Sequence, residues 1–186
     1  MVDGETLDLG GLVLEAIATP GHTPEHLSDL LRDGRTALAL FSGGSLLPGS
    51  VTRTDLIAPD QTKPLARALN RSLHARILAL PDDLAVYPTH GGGSFCSTAA
   101  SGERTTTIGR ERAASPLLLA PNEDTFVARL AEFGTYPTYF TRLRQVNRRG
   151  PRVLGQLPDL APPGIPRSGP APGRGPEPAQ SALSAP

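Results

Sequence analysis

The chain has 186 residues, with 18 Lys and Arg against 18 Asp and Glu and 38% hydrophobic residues, which describes one globular domain with no excess charge for holding a polyanion such as nucleic acid. No apolar run approaches the ~20 residues that span a bilayer. Met1 is followed by Val-Asp-Gly-Glu where a secretory leader would be basic and then apolar, so the expectation is a cytoplasmic chain with no membrane contact.

The zero net charge conceals an asymmetry. Residues 1–60 carry nine acidic and three basic side chains, the remainder carries the opposite excess, and the two halves attract each other. With five Phe, three Tyr and no Trp, the core must be built from Leu, Ala and Val. Short apolar runs at 12–18, 27–31, 36–41 and 84–87, each closed by turn residues, predict strands. Between the third and fourth, Thr62 is expected to cap a helix whose Leu65, Leu69, Leu73, Ile77 and Leu80 form one apolar stripe that covers a sheet. Asn122 opens a helix bearing Phe126, Val127, Leu130 and Phe133, and Pro137 opens another with Phe140, Leu143 and Val146. The fold class is therefore α/β, with helices gathered towards the C-terminal half. The last 26 residues, 161–186, hold eight Pro and four Gly and read as a disordered tail, since they bury too little to offset the entropy of ordering. Residues 1–160 form the domain.

Three Gly- and Pro-rich segments lie at strand ends, where sites are commonly built. They are Thr19-Pro-Gly-His-Thr-Pro-Glu-His26, the loop from Phe41 to Leu56 that contains Ser42-Gly-Gly-Ser45, Arg53 and Asp55, and Tyr87-Pro-Thr-His-Gly-Gly-Gly-Ser-Phe-Cys96. Histidines in separate loops are able to converge on a metal ion, because neutral imidazole is the commonest transition-metal ligand; a solvated or hydrogen-bonded side chain is the alternative for each. Cys96 is the single cysteine, so a disulfide within the chain and a Cys-cluster zinc site are both excluded. It reads as a structural thiol. The run Arg142, Arg144, Arg148, Arg149 and Arg152 lacks interleaved aromatics and reads as a solvated helix face.

The order and wording of TPGHTPEH at 19–26, LFSGGSLLPGSVTRTDL at 40–56, YPTHGGGSFC at 87–96 and ERTTTIGRERAASPLL at 103–118 resemble the metallo-β-lactamase fold, in its persulfide dioxygenase-like and rhodanese-fused branch. The resemblance implies part of an αββα sandwich with zinc or iron at one edge and a small-molecule substrate. It implies His22 and His90 as the metal ligands, with no catalytic residue and no other cofactor-binding residue carried over. Two departures accompany it. The family's N-terminal H-x-H-x-D-H loop has no counterpart, and Gly44 stands where the family's G-D loop carries the bridging Asp. Thr52 also replaces the usual Gly before Arg53. The loss of the first strands would leave sheet edges uncovered and open to self-association, and the chain passes from Val153–Pro158 into the Pro-rich tail where relatives continue into a sulfurtransferase domain. The expected function is a metal-dependent hydrolase-like protein, inactive or impaired as this chain; the alternative is a non-catalytic remnant or protein-binding module.

Overall fold

The structure, a computed structural model, describes residues 1–91, 102–132 and 138–150. Cys96, Phe133, Pro137, Arg152, the 153–158 segment and the Pro-rich tail lie outside the described residues.

The apolar runs form a sheet. Strands β1 (Thr6–Asp8), β2 (Val13–Ala18), β3 (Leu27–Asp33) and β4 (Thr36–Gly43) pair antiparallel in sequence order. The chain then makes a small hairpin of β5 (Leu46–Leu47) and β6 (Ser50–Val51) and crosses through helix α1 (Thr62–Ser72). It returns as β7 (Ala85–Pro88), parallel to β4, and β8 (Thr106–Thr107) closes the sheet in the order β1-β2-β3-β4-β7-β8. A parallel pair requires such a crossover. Helices α2 (Ile108–Ala114), α3 (Glu123–Ala131) and α4 (Phe140–Arg149) follow, so the α/β class and the C-terminal enrichment in helix stand as expected.

Register decides the two faces of the sheet. Leu30 pairs with Leu40 and Leu40 with Val86, and these residues, with Ile17, share the face on which α1 and α3 bury Leu65, Leu69, Leu73, Ile77, Phe126, Val127 and Leu130. On the opposite face, one row runs Leu7, Leu14, Leu31, Ala39 and Ala85, and the next runs Ala16, Asp29, Phe41 and Tyr87. There Leu7, Phe41 and Tyr87 remain exposed, and the rings of Phe41 and Tyr87 lie 5.8 Å apart. The edge strands among the described residues are the short β1 and β8.

Two expectations about helix ends differ from what the fold shows. Asn122 is the N-cap of α3, its side chain accepting the Thr125 N–H. Thr62, expected as a cap, lies inside the first turn of α1: a 3-10 turn at Pro59–Gln61 leads into the helix, and the Thr62 hydroxyl bonds to the Ala58 carbonyl. The helix also widens after Ser72 into a π-type turn at Leu73–Ile77, which keeps Leu73 and Ile77 in the core while ending the α-helix earlier than the apolar stripe suggests.

The strand-end loop 19–26 is docked onto α1. A Cβ at Gly21 would lie 2.4 Å from Leu69 Cβ and 2.5 Å from Leu69 Cα, and the Ser72 hydroxyl bonds to the Pro20 carbonyl at 2.8 Å. Only glycine permits this approach, because the obstructing atoms belong to helix backbone. Gly21→Ala is expected to lower unfolding free energy by about 2–3 kcal/mol, measured by urea denaturation, whereas Ala at exposed Gly102, which meets nothing within 4 Å and lies outside the left-handed region, should cost less.

Candidate functional site

Topology brings the three loops to one end of the sheet. β2 ends at Ala18 and hands over to β3 at Leu27; β4, antiparallel to β3, finishes at that same end with Gly43; and β7, parallel to β4, finishes there with Pro88. The segments 19–26, 42–45 and 88–91 therefore meet.

His22, His26 and His90 are each half-buried at this junction. The His22 Nδ1 lies 2.7 Å from the Thr52 hydroxyl, which donates its own hydrogen to the Arg53 carbonyl at 3.2 Å. With its hydrogen on that carbonyl, Thr52 accepts from His22 Nδ1 and Nε2 keeps the lone pair, a tautomer assigned from the hydrogen-bond network. By the same reasoning the His90 Nδ1 donates to the Gly91 carbonyl at 2.9 Å, and its Nε2 is also a lone-pair nitrogen. Both expected ligand histidines thus hold the tautomer a metal would require.

His26 is turned to a different task. Its Nε2 accepts the Gly44 N–H at 3.2 Å, and its Nδ1 donates to the Thr19 hydroxyl at 2.9 Å, which continues to the Ser28 hydroxyl at 2.8 Å. The rings of His22 and His26 meet edge to face at 5.6 Å. Burial, and next the neighbouring His90, hold the His22 imidazole below its ordinary pKa. Burial and then His22 do the same for His26, against smaller opposing contributions from the Thr19 contact and Glu25.

The loop around them is held by two carboxylates. Arg53, 6% exposed, forms a two-point pair with Asp55 through Nε at 3.0 Å and Nη2 at 2.7 Å. Buried Glu111 accepts the Gly49 N–H at 3.0 and 3.1 Å and the Thr106 hydroxyl at 2.7 Å, tying the β5–β6 turn to α2. Glu111, Thr52 and the His26 contacts were not singled out from the sequence as site elements; each depends on partners 5 to 62 residues away, which periodicity and spacing do not reveal.

Among the described residues, the donor set falls short of what a catalytic metal takes. A catalytic zinc takes three protein ligands and a mononuclear iron oxygenase two His and a carboxylate. Among the described residues, no group of three His, Cys, Asp or Glu side chains is arranged to hold an ion. Asp55 is engaged by Arg53, and Glu25 is exposed on the loop surface. At residue 44, a Cβ would lie 2.7 Å from His22 Cδ2 and 2.9 Å from its Nε2, so the ring occupies the place where a carboxylate-bearing side chain would begin.

The fold and this end of the sheet have clear counterparts. Human mitochondrial persulfide dioxygenase ETHE1 is 35% identical over 103 residues, which are 55% of this chain and 37% of that protein. Hydroxyacylglutathione hydrolase GloC of Haemophilus influenzae is 32% identical over 116 residues, 62% of this chain and 45% of that protein. The crystal structure of a metallo-β-lactamase from Staphylococcus aureus superposes with a TM-score of 0.69 at 30% identity, covering 79% of this chain and 43% of that one. No protein-family model matches the chain. The fold is that of the metallo-β-lactamase superfamily, and the sequence is similar to members of it that include persulfide dioxygenases. It spans less than half the length of these curated relatives. Among the described residues, no helix is long and apolar enough to cross a membrane.

The lowered imidazole pKa values make stability depend on pH. Unfolding restores an ordinary His value of 6.5, so the unfolded chain binds more protons below that pH than the folded chain does. The stabilisation is complete above pH 6.5 and is lost as pH falls towards the folded values. Urea midpoints are expected to be flat from about pH 8 to 7 and to fall between about pH 6.5 and 5.5, a fall that should shrink in the His22→Gln variant.

Proposed function

We propose that the chain supplies part of a metal-dependent hydrolase-like site, with His22 and His90 as its imidazole ligands and a small molecule as substrate, and that it carries out no metal-dependent turnover by itself. The observation that carries this reading is the contact between Gly44 and His22. The imidazole lies where a side chain at 44 would begin, and among the described residues no third donor is arranged with the two retained histidines to hold an ion. The relatives named as a persulfide dioxygenase and a hydroxyacylglutathione hydrolase support the class of chemistry.

The residues present do not fit a catalytic metal, so no chemical step is assigned to one. What the chain's own groups do is limited and specific. Thr52 orients His22, the Gly91 carbonyl orients His90, and the Arg53–Asp55 pair stiffens the loop beneath them. His90 also lines a cleft of about 570 Å³ with Thr89, Glu103 and Arg104, a place for a small polar ligand beside the imidazole.

After dialysis against Zn(II) or Fe(II), the purified chain is expected to retain well under one metal per chain by plasma mass spectrometry and to show no turnover of glutathione thioesters or glutathione persulfide. Gly44→Asp alone should remain inactive and should also lose about 1–3 kcal/mol of stability, because its Cβ displaces a ring held by Thr52. Stoichiometric metal and turnover, both abolished by His22→Ala and His90→Ala, would overturn the reading.

A second reading is a non-catalytic binding module, and the uncovered sheet face bearing Leu7, Phe41 and Tyr87 favours it. On this reading sedimentation equilibrium detects concentration-dependent self-association, weakened by Phe41→Lys. A monomer at all concentrations would remove this form of it.

A further inference from the structure

We propose that His26 is a positioning residue: it closes a metal-free clasp between the loop 19–26 and the turn 42–45 and so fixes the backbone at Gly44, beside which the His22 ring lies. The contacts form a closed circuit. From His26, one nitrogen reaches Gly44 N at 3.2 Å; the other reaches Thr19 Oγ1 at 2.9 Å, Thr19 reaches Ser28 Oγ at 2.8 Å, and Ser28 reaches the Ser42 carbonyl at 3.4 Å, two residues before Gly44. Ser45 closes the turn from within, its hydroxyl bonding to the Ser42 carbonyl at 2.8 Å. The end of β2, the start of β3 and the end of β4 are thereby joined through one imidazole.

Two features make this circuit more than a surface contact. Thr19, Ser28, Ser42 and Ser45 have no solvent exposure, so breaking the circuit leaves buried hydroxyl and carbonyl groups without water to replace the lost bond. The turn is also shaped around the rings. A Cβ at Gly43, whose φ is +58°, would lie 2.5 Å from His26 Nε2, just as a Cβ at Gly44 would lie against His22. Adjacent glycines thus leave room for two adjacent imidazoles, one placed to bond the backbone and one left with a lone pair.

The consequence is that these loops hold together without an ion. In the complete metal sites that the sequence resembles, a carboxylate at residue 44 and the imidazole at 22 would be joined through metal; here Gly44 is held by His26 instead. The clasp requires no metal and stands whether or not His22 and His90 bind one.

Amide hydrogen exchange read by NMR on the full chain in EDTA tests this. The Gly44 amide is expected to be protected without metal, and in His26→Ala to exchange at least about tenfold faster while the Leu40 and Val86 amides in the sheet are unchanged. Two further variants separate positioning from packing. His26→Gln places a polar atom the same number of bonds from Cβ as Nε2 and should retain Gly44 protection; His26→Asn reaches only as far as Nδ1 and should lose it. An unprotected Gly44 amide in the native chain, unchanged protection in His26→Ala, or equal behaviour of the Gln and Asn variants would overturn the proposal. The Gln and Asn comparison decides the matter if the Ala variant does not fold.

Discussion

The packing of the His22 ring on the Cα of Gly44 constrains everything else at this end of the molecule. The ring lies where a side chain at 44 would begin, and its Nδ1 is held by Thr52, thirty residues away. A side chain at 44 would have to displace the ring. Around this contact the loop from β2, the turn after β4 and the segment after β7 are brought together by sheet register, and Gly21 lets the first of them sit directly on the backbone of α1.

Fold and donor set are separable here because they depend on different residues. The sheet and its helical cover rest on Leu30, Leu40, Leu69, Val86 and Phe126, apolar side chains whose burial is indifferent to what stands at a loop tip. A metal centre depends on three or four donors placed together, and the removal of one carboxylate leaves the rest short of a coordination shell. Two carboxylates of the loop around the junction are engaged elsewhere: Asp55 with Arg53, and Glu111 with Gly49 and Thr106. A chain can thus keep the architecture and the wording of its loops while its immediate surroundings favour hydrogen bonding over ligation.

The sheet face opposite α1 and α3 follows from the same register. Alternation along β4 sends Leu40 into the core and Phe41 out, and the pairing of Phe41 with Tyr87 sets two aromatic rings side by side on an uncovered surface. Sequence reasoning anticipated uncovered strands as edges. On this face Leu7, Phe41 and Tyr87 are exposed while Ala16 and Ala39 beside them are buried, because hydrogen-bond pairing satisfies strand backbones laterally without covering the large outward side chains.

The sequence by itself determined the α/β class, the four principal strands, the cap at Asn122, the apolar stripe of α1 and the three loops that carry His22, Gly44 and His90. These are local matters of period, capping and turn chemistry. Only the tertiary structure decided that Thr62 lies within α1, that the helix widens after Ser72, and that His26 turns both nitrogens onto neighbouring loops. It also decided that the ring of His22 fills the space beside Gly44. Those outcomes depend on contacts between residues far apart in the chain, where sheet register sets the distances, and register is not written in the residues of any one segment.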